Sequence, residues 1–311
     1  MPSAAAAPRI LVVGSANVDY TVTAARLPRA GETVTGGTLL VNHGGKGANQ
    51  AVAARRLGAE VRFIACVGDD GSGREIRAAL EREGIGVAGV SATRDEATGT
   101  ALIVVDGEGR NQIAVAPGAN RRLSVEMARA CGEDLAWAGV VMCQLETPLE
   151  TVAWVLDAAR RRGLVSVLNP APMRDEARAL VALADYLTPN ETEAERLTGV
   201  TARDPDSAVA AGQALRARGA RTVVLTLGAA GALACTATGN VRVPAFAVDV
   251  VDTTAAGDAF NAGLAVALAE TQPLAAALRF AAATGALACT RRGAQPALPQ
   301  RREVEVLLSG R

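Results

Sequence analysis

Val251-Asp252-Thr253-Thr254-Ala255-Ala256-Gly257-Asp258-Ala259-Phe260-Asn261 is the most informative run in the 311-residue chain. Its spacing predicts a strand ending near Val251, a turn of small residues, and an amphipathic helix through Phe260, Leu264 and Leu268. Strand, tight turn and helix in that order form the repeating unit of a parallel sheet covered by helices. Ala255, Ala256 and Gly257 then fall at a helix N-terminus. The first amides there lack intrahelical acceptors and favour an anion, particularly charge developing on a transferring phosphoryl group. Asp258, in the first turn, either complements the helix dipole or takes a proton from an attacking hydroxyl. A base beside an anion pocket is what phosphoryl transfer to an alcohol requires.

Outward from this run, the second half of the chain repeats the same unit. Short apolar strands are predicted over 140–145, 165–169, 186–188 and 223–227, with helices over 149–162, 193–197 and 207–218. Such repeats imply a parallel sheet with helices on both faces. The first half contributes a strand over 10–13, a helix over 50–57, a buried strand over 61–67 and a helix over 75–83. Two regions do not fit that layer. Residues 20–23 and 32–41, with Pro28 and Gly31 between them, alternate apolar and polar, and 100–105 and 111–115 flank Asp106-Gly107-Glu108-Gly109. Alternation marks half-buried antiparallel strands, and the second pair reads as a β-hairpin. Together, within about 17–42 and 98–118, they are expected to form a small sheet projecting beside the main one.

Composition narrows the function. Lys and Arg total 32, Asp and Glu total 32, and there is one His, so the formal net charge is zero. A nucleic-acid binder needs a basic excess, and no like-charge run marks a membrane patch or an acidic tail. Half the residues are apolar and 21% are charged, which is globular; aromatics are only 3%, so the core must rest on Ala, Val and Leu. Cys66, Cys131, Cys143, Cys235 and Cys289 are scattered, and with a single histidine they support neither a zinc site nor a disulfide framework. MPSAAAAPR lacks a sustained apolar segment, so residues 1–8 read as a disordered tail and not a signal peptide, and 9–311 as a single domain. The apolar stretch 259–269 is too short to cross a bilayer. The expectation is a soluble cytoplasmic protein with no nucleic-acid or membrane partner.

Two glycine-rich runs invite phosphate-binding readings. Gly84-Ile85-Gly86-Val87-Ala88-Gly89 satisfies G-x-G-x-x-G, but a charged helix precedes it where a strand is required, so Gly84 reads as a helix stop. His43-Gly44-Gly45-Lys46-Gly47-Ala48-Asn49 is not a Walker A motif, because Gly47 stands where Ser or Thr is needed. It does place three glycines and the chain's single lysine just before a helix, where the backbone can approach a ligand closely. A plain strand–helix turn would use the same residues, but a compact ammonium cannot be replaced by Arg, and Lys46 is the only one present. His43 reads as structural or peripheral.

Taken together, the chain resembles the ribokinase branch of the PfkB carbohydrate kinase family across residues 9–308. The resemblance rests on Gly14-Ser15-Ala16-Asn17-Val18-Asp19, 44–50, Gln144-Leu145-Glu146, Asn169-Pro170-Ala171-Pro172, Thr188-Pro189-Asn190-Glu191-Thr192-Glu193, Thr226-Leu227-Gly228, 252–261 and Arg292-Gly293-Ala294-Gln295-Pro296. It implies a ribokinase-like three-layer α/β/α sandwich with a small β-sheet lid that also forms a homodimer interface. It implies a single kinase domain that phosphorylates D-ribose at the 5-hydroxyl with ATP and Mg²⁺. Residue by residue, it implies a sugar pocket of Asn17, Val18, Asp19, Gly45, Lys46, Gly47, Ala48, Asn49 and Glu146. It implies nucleotide contacts from Asn190 and from Thr226, Leu227, Gly228, Ala229, Ala230 and Gly231, extending to Gly257 and Asp258. Asn190 and Glu193 would hold Mg²⁺ through water. Ala255, Ala256 and Gly257 would form the anion hole, with Asp258 as base, and Lys46 would reach the transferring phosphate.

An activating K⁺ is also implied, held by Asp252, Thr254, Ala288, Arg291, Gly293 and Ala297, mostly through carbonyl oxygens. Two positions depart from the family pattern. Ala297 replaces a common serine, which weakens the cation site, and Ala282 replaces a histidine that related enzymes can present to adenine. The alternatives are a kinase of this family for deoxyribose, fructose or a nucleoside, and a sugar sensor without catalysis. A nicotinamide-dependent dehydrogenase fails on the context of the glycine fingerprint. Asn17, Asp19 and Glu146 suit a small polyol, whereas a nucleoside base calls for an apolar or aromatic pocket.

Overall fold

Ile10 and Val12 pack on one side of the first strand and Leu11 and Val13 on the other, all at most 1% exposed, so this strand lies in the middle of a sheet covered on both faces. The structure, a computed structural model, describes residues 6–310. Residues 1–5 of the expected tail lie outside the described residues.

The first half runs β1 (Arg9–Val13), β2 (Asn17–Thr23), β3 (Thr38–Gly44), α1 (Lys46–Arg56), β4 (Glu60–Gly68), α2 (Gly71–Arg82), β5 (Val90–Thr93), β6 (Gly99–Val105) and β7 (Asn111–Ala116). It is followed by α3 (Val125–Ala130), α4 (Gly132–Trp137), β8 (Val140–Cys143), α5 (Leu149–Arg161), β9 (Val165–Leu168), β10 (Tyr186–Leu187), α6 (Glu191–Thr198) and α7 (Pro205–Ala217). The chain closes with β11 (Thr222–Thr226), β12 (Ala232–Cys235), β13 (Asn240–Val243), α8 (Ala256–Ala269), α9 (Leu274–Ala288) and α10 (Arg301–Ser309).

Nine strands form the main sheet in the order β13-β12-β11-β10-β9-β8-β1-β4-β5, all running in one direction except β12, which is antiparallel to both its neighbours. α1, α2, α8, α9 and α10 cover one face, and α3 to α7 cover the other. This is the three-layer sandwich expected. The small sheet is β3-β2-β6-β7, with β2 and β6 parallel and the outer pairs antiparallel. From β1 the chain continues to β4 on one side and to β8 on the other. That is the switch point where open α/β sheets bind ligands at their carboxyl ends.

Several boundaries differ from expectation. α1 begins at Lys46, not at residue 50, because Gly47 is helical. A Cβ on Gly47 would stand 2.5 Å from the Ser15 amide, so glycine is there for the close approach of helix to loop. β3 covers Thr38–Gly44, and residues 32–37 have no ladder partner. The strand expected near Val251 does not form: β13 already ends the sheet, and residues 244–255 reach α8 without regular structure. Gly84 does end α2, in the left-handed region at φ 78°.

Small residues let α8 lie close against α9. A Cβ on Gly263 would fall 3.0 Å from Ala281 Cα and 2.8 Å from Thr284 Oγ1, whereas one on Gly257 meets nothing within 4 Å. Gly263→Val is therefore expected to lower stability by about 1–3 kcal/mol, as overpacking does, and Gly257→Ala to change it by less than about 0.5 kcal/mol. Urea denaturation of both variants checks the contrast.

Candidate active site

The loop after β1 and the start of α1 meet at the carboxyl edge of the sheet. Gly45 caps α1 at φ 86°, and a Cβ there would touch the backbone of Ala16 and Asn17. Ala48 N–H donates to the Ser15 carbonyl, and Gly47 N–H to Ser15 Oγ. Gly47 and Ala48 thus face the loop and lock helix to strand. Glu146, after β8, accepts from Ser15 Oγ and from Lys46 N–H at 2.9 Å. A carboxylate at a helix N-terminus is well placed there, and Glu146 Oε1 accepts no hydrogen bond among the described residues.

β2 brings Asn17 and Asp19 to one face of the small sheet, and Val18 to the other. Asn17 is buried and its Oδ1 accepts from Asn120 Nδ2 at 2.7 Å, while Asn120 Oδ1 accepts from Ala16 N–H. Val18 and His43 line a separate cavity of about 590 Å³ behind the small sheet. The half-buried carboxylate of Asp19 packs over Gly44, where a Cβ would come within 2.0 Å of its Oδ2. Burial first, and then the charges of Glu146 and Asp258, push Asp19 from 3.8 to about 6.

Asp258 sits in the first turn of α8, 5% exposed. Its Oδ2 accepts from Asn49 Nδ2 at 3.0 Å and its Oδ1 from Gln50 Nε2 at 3.1 Å. Burial pushes its pKa up, while Lys46 and the two amide donors oppose that rise. The Lys46 ammonium is raised, mainly by Asp258 and further by Glu146 and Glu193. With Asp19, five charged groups therefore act on one another at this edge of the sheet. At the start of α8, Ala255 adopts φ 60°, a strained value for a residue other than glycine. Ala256 N–H donates to the Thr253 carbonyl, so it is not free as expected. The amides of Ala255, Gly257 and Asp258 have no acceptor among the described residues, and the space in front of Gly257 is open.

Farther along the same edge, Thr226 bridges to Asn190, and Gly228, Ala229 and Ala230 form an exposed turn closed by Gly231 at φ 90°. Leu227 is buried in the core, so only its backbone reaches the cleft. Asn190 and Glu193 form a capping box: Asn190 Oδ1 accepts from Glu193 N–H and Glu193 Oε2 from Asn190 N–H. One oxygen, Glu193 Oε1, is left. That set offers no direct cage for a divalent ion but suits hydrogen bonding to its waters. No group of three or more acidic, His or Cys side chains placed to hold a metal ion occurs among the described residues.

Asp252 ties two loops, accepting from Thr254 N–H and Thr254 Oγ1 and from Gly293 N–H. Arg291 pairs with Glu303, and Ala288 and Ala297 are fully buried. The carbonyls of Asp252, Thr254, Ala288, Arg291, Gly293 and Ala297 accept no hydrogen bond among the described residues. Such a set of hard oxygen donors fits a monovalent cation. Ala282 is partly buried against α-helical core.

Sequence reading assigned no role to Gln50, Gln144, Asn169, Thr188 and Asn261, although they lie in quoted motifs, and passed over Asn120 entirely. The bonds from their side chains to other side chains span 73 to 208 residues, which no local pattern reveals.

Comparison with known proteins places these features in context. The family model described as pfkB family carbohydrate kinase matches residues 7–301. The ribokinase of Haemophilus influenzae is 42% identical over 294 residues, covering 94% of this chain and 96% of that protein. The deoxyribokinase of Salmonella typhi is 36% identical, covering 96% and 98%. The solved structure of Arabidopsis thaliana ribokinase complexed with ribose and ATP superposes with a TM-score of 0.89 at 34% identity, covering 97% of this chain and 99% of that one.

Asp19 yields a test by linkage. Its native value of about 6 exceeds the ordinary 3.8, so between these values the folded chain holds a proton that the unfolded chain has lost. Its ionisation therefore costs stability as pH rises through 6. Asp19→Asn is expected to melt roughly 2–4 °C above the unmodified protein at pH 8, with the gap shrinking as pH falls through about 6 and closing below 3.8. Scanning fluorimetry across that range checks it; an equal gap at both ends contradicts the assignment.

Proposed function

Since the chain belongs to the pfkB family of carbohydrate kinases, we propose that it transfers the γ-phosphoryl group of ATP to the 5-hydroxyl of D-ribose. The observation that carries this reading is the buried Asp258 carboxylate beside the unpartnered amides of Ala255 and Gly257, in a cleft walled by polar groups. The relatives named ribokinase, and the one solved with ribose and ATP, support the choice of sugar.

In this reading Asn17, Asp19, Gly45, Asn49 and Glu146 hold the sugar hydroxyls, and Val18, Gly47 and Ala48 shape the pocket through the backbone. Asp258 accepts the proton of the 5-hydroxyl as it attacks. The α8 amides stabilise charge on the transferring group, and Lys46 reaches toward it. Gly228 to Gly231 present backbone to the nucleotide, together with Asn190 and Thr226. Mg²⁺ neutralises the phosphates when bound, with Glu193 Oε1 and Asn190 holding its waters. K⁺ would sit among the six free carbonyls, and Ala297 supplies only a carbonyl there, consistent with a weakened site. Zero net charge suits a neutral sugar, with anionic ATP held by local dipoles and metal.

We place the enzyme in the cytoplasm as a homodimer joined through the lid, residues 17–42 and 98–118. Leu39, Val41 and Leu102 on one face of that small sheet, and Leu40, Ile113 and Val115 on the other, are about half exposed, an apolar load that a second copy would cover. Light scattering should give twice the chain mass, and Ile113→Asp should lower it; a monomer for the unmodified protein contradicts the dimer. No helix among the described residues is long and apolar enough to cross a membrane.

A second reading keeps the chemistry and changes the acceptor. The deoxyribokinase relative favours deoxyribose. A cavity of about 650 Å³ beside Asn17 and Glu146, lined by Val115, Leu145 and Leu149 together with Arg121 and Arg174, leaves room for a larger acceptor such as a nucleoside. ADP release measured with ribose, deoxyribose, fructose and nucleosides, with and without K⁺, separates these. Ribose is expected to be fastest and K⁺ to accelerate it; ribose binding without turnover would make the protein a sensor. Asp258→Asn should lower kcat by about 10²- to 10⁴-fold with little change in ribose binding. Near-normal turnover in that variant would refute Asp258 as base.

A further inference from the structure

Behind the Asp258 carboxylate runs a chain of buried amides that the reaction as described does not use. Gln50 is completely buried. Its Nε2 donates to Asp258 Oδ1 at 3.1 Å and to Asn169 Oδ1 at 3.3 Å, and its Oε1 accepts from Gln144 Nε2 at 2.6 Å. Asn169 Nδ2 donates to the Thr188 carbonyl, Thr188 Oγ1 to Asn261 Oδ1, and Asn261 Nδ2 to the Gly257 carbonyl. Gln144, Asn169 and Thr188 directly follow β8, β9 and β10, three neighbouring parallel strands, whereas Gln50 lies on α1 and Asn261 on α8.

A primary amide has two donors on nitrogen and an acceptor on oxygen. Both acceptors facing the Gln50 nitrogen are unable to donate: one is a carboxylate, and the other is the carbonyl oxygen of Asn169, whose own nitrogen is turned to Thr188. The Gln50 amide therefore has a single orientation, and it sets the plane of the carboxylate it holds. Stability alone does not call for this arrangement, because replacing buried polar sets by apolar groups of similar shape is often neutral or stabilising. A hydrogen-bonded polar network does rigidify what it joins, and here every nitrogen of the chain from Gln144 to Asn261 has a partner, with Gln144 Oε1 the oxygen left over among the described residues.

We propose that Gln50 is a positioning residue for the reaction, clamped by the strand ends through Gln144 and Asn169, and that it holds the Asp258 carboxylate ionised and at a fixed angle to the anion-binding amides of α8. The proposal rests on the kinase reading, with Asp258 as base. Burial works against the charged form of Asp258, and a donated hydrogen bond works for it. The other charged groups acting on Asp258 are Lys46 on α1, Glu146 after β8, Asp19 on β2 and Glu193 on α6. None of these is altered when Gln50 is changed.

The test is the pH profile of kcat at saturating ribose and ATP for Gln50→Met, which keeps the length of the side chain and removes its donors. The plateau is expected to fall about 10- to 100-fold, the scale of a reacting group held about 1 Å off line. KM for both substrates should stay within about 3-fold, and the acid limb should move to higher pH because the base has lost a donor. If that variant does not fold, Gln50→Glu carries the test: it keeps the shape and the acceptor facing Gln144, and the acid limb is again expected at higher pH. A folded variant with the plateau and acid limb of the unmodified protein, and only a lower melting temperature, overturns the proposal. Failure of the kinase reading looks different: the unmodified protein would show no sugar-dependent turnover, or Asp258→Asn would retain it.

Discussion

Two amides on adjacent residues of α1, Asn49 and Gln50, each donate to one oxygen of the Asp258 carboxylate on α8. This contact joins the helix that begins the substrate loop to the helix that begins the anion pocket, across 209 residues of chain. Much else in the molecule serves to keep these two helix starts together. Gly47 lets α1 press against the loop after β1, Glu146 holds the first amide of α1, and the small residues of α8 and α9 let α8 pack deeply beside the sheet. The parallel strands end at one edge, so each helix start arrives there with its amides facing a common cleft.

Buried carboxylates ordinarily repel, and here Asp258, Glu146 and Glu193 act on a single ammonium, with Asp19 close to Glu146 and Asp258. The arrangement has an energetic cost, seen in the upward displacement of Asp19 and Asp258. It supplies a polyol with acceptors on several sides and gives the base an environment in which proton uptake is favourable. The global charge balance is neutral, and the local one is strongly patterned.

How much was legible beforehand follows from which contacts are local. The βαβ rhythm, the small sheet and the helix starting near Gly257 could be read because hydrophobic spacing and small-residue turns report local structure. The start of α1 was read four residues late because glycine ordinarily opposes helix, and only the tertiary approach of Gly47 to Ser15 explains its place inside one. The segment before Val251 alternates like a strand, but it joins no ladder: β13 stays the edge of the main sheet, and Val251 N–H donates to the Cys289 carbonyl instead. In the site, Lys46 and Asp258 stood out by residue type and position, and Glu146 only through the family resemblance. Gln50, Asn169 and Asn120 did not, because an amide becomes informative only once its distant partner is known. Gly257 and Ala255 show the opposite case: the turn was recognised, but the engagement of Ala256 by Thr253 appears only in three dimensions.

The central claim is that a carboxylate fixed at the start of α8 directs one particular hydroxyl of ribose onto the γ-phosphorus of ATP. The most direct measurement is phosphorus NMR of the product formed from ribose and ATP, with proton coupling used to locate the ester. The account predicts a single phosphomonoester coupled to the two protons of carbon 5. An ester at carbon 1, a mixture of positions, or loss of the γ-phosphate to water with ribose unchanged would contradict it.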